Sequence, residues 1–194
     1  QTEGTGQMTR QNGAYYNEDY LRQGSPTNST FAESVSRPFG ATDLDVLTDG
    51  VMYHVGVPLQ FGDVVTNITF VSGATAADTP THWGFALYDP SGTKLAQTAD
   101  KTSTAWAANT AKTVALATPQ LITTPGLYYA SVWMSANDLV SLWGVSAGNA
   151  VCNGNLGLSA GVIAKTSGSS VAATAPSTIA TPTNVSGVPY VVLT

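Results

Sequence analysis

Chemistry in this chain would have to come from a short set of side chains: His54, His82, Cys152 and twelve carboxylates spread over 194 residues. Nucleophilic catalysis needs a Ser or Cys beside a His that a carboxylate orients, and neither His stands in such a local pattern. His54 falls on the polar face of an alternating segment, where an exposed or hydrogen-bonded imidazole suffices to explain it. His82 opens a later segment beside Trp83, and a metal set built from both histidines and Asp89 has no support from spacing. Cys152 has no basic neighbour in Val151-Cys152-Asn153-Gly154-Asn155 to lower its pKa, so it reads as an inert thiol. As the lone cysteine it also excludes an intrachain disulfide. The residue types predict a protein that is not an enzyme, with no catalytic residue, cofactor or metal. A hydrolase would need two close carboxylates in a groove, which the sequence neither shows nor forbids.

Binding chemistry has more material. The run Thr42 to Gly50 brings Asp43, Asp45 and Asp49 close together in sequence, oxygen ligands of the kind calcium takes. It lacks the internal Gly and closing Glu of a helix-loop-helix calcium loop, and a turn-rich lead-in to the first strand explains it as well. Glycan binding needs a flat aromatic face that solvent can reach. Trp83 and Trp133 are interleaved with apolar residues and read as core, whereas Trp106, flanked by Ala in a connection, and Trp143, in a Gly/Ser-rich segment, are the candidates for stacking on a sugar ring. A Trp on a short connection can equally plug the end of a sandwich.

Composition bounds the partners. Only 10% of the residues are charged, against about 25% in an ordinary domain. The net charge is −5, and no Lys/Arg cluster exists to neutralise a run of phosphates, so nucleic acid is not an expected partner. No run of about 20 apolar residues occurs and Gln1 to Arg10 is polar, which predicts neither a membrane span nor an uncleaved signal peptide.

Charge is uneven along the chain, ten of the nineteen charged residues falling in the first 50 positions. Residues 1–40 are rich in Gln, Asn, Gly, Ser and Thr and poor in aliphatic side chains. They predict an extended N-terminal arm without a core of its own. Tyr15, Tyr16, Tyr20, Arg22 and Phe31 are its candidate contacts to neighbouring subunits.

From about residue 41 the pattern changes to short alternating runs broken by Gly, Pro, Asp and Asn. Val51, Tyr53, Val55, Val57 and Leu59 alternate as in a strand with one buried face, and Gly62-Asp63 turns the chain into Val64 to Ser72. Trp83 to Tyr88 and Thr93 to Thr98 form a hairpin around Asp89-Pro90-Ser91-Gly92. A short helical turn is expected around Thr104 to Ala108, capped by Ser103 or Thr104. Lys112 to Ala117 is strand-like, and Pro119 to Pro125 a bent connection. Gly126 to Ser135 is the strongest strand and is apolar on both faces, so it is either central in a two-layer core or covered outside by another element or subunit. Ser141 to Ser146 and Val188 to Leu193 are strands, with weaker ones expected near Leu156 to Ala164. The sum predicts an all-β domain over residues 41–194, a β-sandwich of jelly-roll-like form.

Arg37-Pro38-Phe39-Gly40-Ala41-Thr42 through Val71-Ser72-Gly73-Ala74-Thr75-Ala76-Ala77, then Trp83-Gly84-Phe85-Ala86-Leu87-Tyr88-Asp89, Leu95 to Asp100 and Ser103 to Thr110, together resemble a family of virion proteins encoded by phages of actinobacteria. Pro125 to Tyr129 and Val188-Pro189-Tyr190 extend the likeness to about 150 residues, with the arm before Arg37 outside it. The Ser-Thr-Ala-Trp-Ala-Ala-Asn segment is its more specific part, since the Ala-Leu-Tyr-Asp hairpin is generic to β-sandwiches.

Members are described as minor tail, fibre or capsid-surface proteins. The resemblance therefore implies a location on the particle surface, other virion proteins as partners, a homo-oligomer, and no catalytic residues. With the arm it leads to a non-enzymatic capsid-decoration or minor tail component. The alternative is a module that binds a cell-envelope glycan for host attachment, through Trp106 or Trp143.

Overall fold

The computed structural model describes residues 30–36, 42–146 and 163–194. The described residues are all-β, with no helix, in antiparallel sheets consistent with a β-sandwich. The strands are β1 (Ala32–Glu33), β2 (Thr42–Val46), β3 (Met52–Leu59), β4 (Val64–Val71), β5 (His82–Tyr88), β6 (Lys94–Gln97) and β7 (Ala111–Leu121). They continue with β8 (Gly126–Ser135), β9 (Ser141–Ser146), β10 (Ala164–Ser167), β11 (Thr183–Asn184), β12 (Gly187–Pro189) and β13 (Val191–Leu193). One sheet has the order β1-β13-β4-β7, a second β11-β10-β3-β8-β5-β6, and a third, smaller one β12-β9-β2.

Alternation in the sequence sorts the side chains between faces. Val55, Val57 and Leu59 of β3, Phe85 and Leu87 of β5 and Val132 and Met134 of β8 point into one buried core, which Ile68 and Phe70 of β4 and Val191 and Leu193 of β13 close from the opposite sheet. The Phe70 and Phe85 rings meet across it at 5.0 Å.

The strongest predicted strand is central, since β8 pairs β3 along one edge and β5 along the other. Its outer face is also buried, beneath a segment of the same chain. Val171 and Ala175 lie over Met52, Ala86, Tyr88, Tyr129 and Trp133. That segment is not a strand of the sheet, so side chains satisfy part of its backbone: Trp133 Nε1 donates to Ala172 O at 2.6 Å, Tyr88 OH to Pro176 O at 2.8 Å, and Lys94 Nζ to Ala175 O. Gln97 Oε1 accepts from Ala175 N. Gly84 is needed beneath it, because a Cβ there would stand 2.6 Å from the Trp133 ring.

Three expectations are corrected. Residues 101–110 hold no helical turn: Trp106 bridges Ala77 in extended form, and Ser103 and Asn109 take φ of 53° and 52°, left-handed values that interrupt a helix. The chain from Pro119 to Leu121 is not a bend but the end of β7. Proline is tolerated there because β7 is an edge strand whose register with β4 breaks between Val65 and Asn67. The acidic lead-in is itself a strand, as Thr42–Val46 pairs β9.

Within the expected arm, residues 30–36 are part of the sandwich, Ala32 pairing Leu193 and Glu33 pairing Val192. Of the weak strands expected near Leu156 to Ala164, the described part is β10, which begins at Ala164; residues 147–162 lie outside the described residues, as does Cys152. Among the described residues there is no helix long and apolar enough to cross a membrane.

Candidate functional site

The two histidines are both engaged. His54 Nδ1 meets Ser131 Oγ and its Nε2 meets Ser167 Oγ, each at 2.7 Å, in a setting where all three residues are buried. Burial, and secondarily the charge of Lys165, push its pKa down to about 3, so the ring is neutral. The expectation of an exposed or hydrogen-bonded imidazole resolves to the second, because the polar face of β3 is the face that the 171–179 segment covers. Lys165 lies 3.6 Å over the Tyr129 ring, and burial lowers its pKa too.

His82 Nδ1 pairs with Asp100 Oδ2 at 2.6 Å and is partly exposed. That is the orienting half of a catalytic triad, but among the described residues no hydroxyl is bonded to the ring. Asp89 belongs to its turn instead, its Oδ1 accepting from Ser91 Oγ and Thr93 N. Although burial works against it, these bonds hold its carboxyl below the usual range. Asp43, Asp45 and Asp49 do not converge. Among the described residues no three of His, Cys, Asp or Glu form a group that could hold a metal, and Asp49 Oδ1 accepts from Ala136 N.

The two tryptophan candidates part company. Trp106 is fully buried, its ring 5.1 Å from Trp83 and 5.7 Å from Phe85, with Nε1 donating to Thr110 O. It plugs the sandwich end and has no face for a sugar, which corrects that expectation. Trp143 is half-buried, and its Nε1 reaches Asn109 Oδ1 at 3.1 Å at the surface.

Of the candidate arm contacts, Tyr15, Tyr16, Tyr20 and Arg22 lie outside the described residues, and Phe31 is half-buried beside β1. Residues 30–36 are closely held. Ser34 Oγ donates to Pro189 O at 2.8 Å and accepts from Val191 N at 3.0 Å, Tyr190 OH donates to Glu33, and Thr30 Oγ1 accepts from Val64 N at 2.7 Å. Beside Thr30 the surface turns apolar. Phe61 is 74% exposed, Leu121 62% and Val64 41%, and Val64 and Leu121 are direct cross-strand partners.

Sequence reasoning missed a second feature. Around the connection from β11 to β12, two open clefts of about 370 and 460 Å³ flank Tyr53. The signal was present in Tyr53, the one aromatic among the alternating residues of β3, but alternation alone assigned it to the core. Its ring does pack against the core, while its OH meets Thr48 Oγ1 at 3.2 Å.

Compared with family models and with curated proteins, the chain matches none.

Proposed function

We propose that this chain is a non-enzymatic structural protein of a phage particle, a capsid-decoration or minor tail component. In this reading the domain, jelly-roll-like in form, stands on the particle surface, and the N-terminal arm attaches it to neighbouring virion subunits.

The observation that carries the reading is the arm's root. Residues 30–36 are tied to the C-terminal strand by backbone pairing and by the Ser34 and Glu33 side chains, so tension on the arm is received by a sheet rather than by a loop. The same root opens beside the Phe61, Val64 and Leu121 patch, apolar area of the kind that assembly interfaces cover. An arm with dispersed aromatic residues gains affinity over a long contact while paying the entropy of ordering.

Deletion of residues 1–29 tests this directly, and it must stop at Thr30 because the next residues belong to the sheet. The truncated chain is expected to fold and melt like the full chain yet be absent from assembled particles. Incorporation at the full-chain level would overturn the anchoring role.

A further inference from the structure

We infer that the two clefts on either side of Tyr53 form one elongated binding groove for an uncharged saccharide. This goes beyond the anchoring role and moves glycan contact away from both tryptophans.

The groove is built where two sheet edges diverge. The chain passes from β11, the edge of the six-stranded sheet, to β12, the edge of the three-stranded one, with only Val185 and Ser186 between them, and Val185 lines both clefts together with Tyr53. A ligand occupying both must therefore cross the tyrosine ring. Each cleft has a volume within the ~300–1,000 Å³ range of small-ligand sites.

The lining states the ligand's chemistry. One cleft presents the hydroxyls of Thr48, Thr166, Ser169 and Thr183, groups that donate or accept as the partner requires. The other adds the Asn184 amide and the apolar surface of half-buried Leu44, with Asp43 and Asp45 also in its wall. Sugar rings have this same pairing of apolar C–H faces with a hydroxyl edge, and an aromatic with a polar tip suits both. None of the described lining residues is Lys, Arg or His, so phosphate, sulfate and polyanionic ligands have no counter-charge, while the two carboxylates repel them. Thr181, in the wall of the second cleft, holds φ at +42°, a cost that a β-branched residue meets only where surrounding structure imposes it.

The test is an amide-resolved NMR titration of the full chain with a panel of neutral oligosaccharides, the hexamers of glucose, mannose and N-acetylglucosamine, each to about 10 mM, a concentration suited to weak sites. At least one is expected to shift resonances at Tyr53, Thr166, Thr183 and Val185. Tyr53→Ala should weaken that binding about tenfold or more, equivalent to at least ~1.4 kcal/mol, whereas Trp143→Ala leaves it unchanged. Should Tyr53→Ala fail to fold, Thr183→Arg on the exposed edge strand is the second arm, expected to block the groove without touching the core.

Absence of shifts with every sugar, shifts centred on Trp143, or full binding by both groove variants would overturn the inference. So would preferential binding of an extended Ser/Thr peptide along β11, which would make the groove a peptide site.

Discussion

The two faces of β8 are both buried, but by different means. The inner face meets a second sheet, and its cover is made of side chains alone: Val132 and Met134 pack with Phe70, Phe85 and Trp83, and backbone polar groups are already satisfied within each sheet. The outer face meets an irregular segment whose backbone has no ladder. Trp133, Tyr88, Lys94 and Gln97 have to supply donors and an acceptor as well as cover. Apolar surface is hidden by whatever chain reaches it, but a segment without a ladder recruits polar side chains to complete its backbone hydrogen bonds.

The largest expected effect is on the inner face. Phe85→Ala removes a ring that touches Phe70, Trp83 and Trp106, and should cost about 4 kcal/mol, read as a shift of the whole denaturant transition. A loss under about 1 kcal/mol would mean that this layer is not the stabilising one.

Acid probes the outer face next. His54 is neutral in the fold, with its pKa near 3 because of burial first and Lys165 second. The unfolded chain takes up that proton near pH 6.5, so stability is complete above this pH and is lost as pH falls toward 3. Between pH 7 and pH 5 the loss should be about 2 kcal/mol. His54→Gln should flatten the dependence across that window. An unchanged slope would place the acid sensitivity elsewhere.

Trp133→Phe keeps a ring over Gly84 but removes the bond to Ala172 O, and should cost about 1 kcal/mol. Hydrogen exchange sharpens this one: the Val171, Ala175 and Ile179 amides, bonded to Gly50, Gln97 and Gly92, should exchange faster while the β4 and β5 ladders keep their protection. Uniform loss of protection would show that the cover and the core open together.

Leu121→Ser stands at the other extreme. This side chain lies on neither buried face, being 62% exposed, so its effect on stability should stay within about 0.5 kcal/mol. Its expected phenotype is poorer incorporation into particles, measured by composition of the purified assembly. Destabilisation above about 1 kcal/mol would instead make the patch part of the domain's own packing.

Much of the strand pattern was legible. Alternation located β3, β4 and β5, continuous apolar character located β8, and Gly92 takes the positive φ, 85°, that its place in the Asp89-Pro90-Ser91-Gly92 turn requires. The errors lie where spacing is not the governing influence. Trp106 looked exposed between small residues, yet the two turns on either side of it fold it back onto Trp83. Pro119 suggested a break, and only its position on an edge strand makes it compatible with β7. The Tyr53 groove was illegible because its walls, Asp43 to Leu47, Leu142, Thr166 and Thr181 to Pro189, are far apart along the chain.

The sequence by itself determined the all-β class, a strand at Gly126 to Ser135 with two apolar faces, and the scarcity of catalytic side chains, because alternation, turn residues and composition are local properties. Which face of His54 is covered, which tryptophan is a plug and where a groove opens were decided by tertiary structure alone. Each depends on segments distant in sequence arriving at one place, such as 171–179 over β8 or Val185 beside Tyr53. Burial is a property of that arrival and not of the residue.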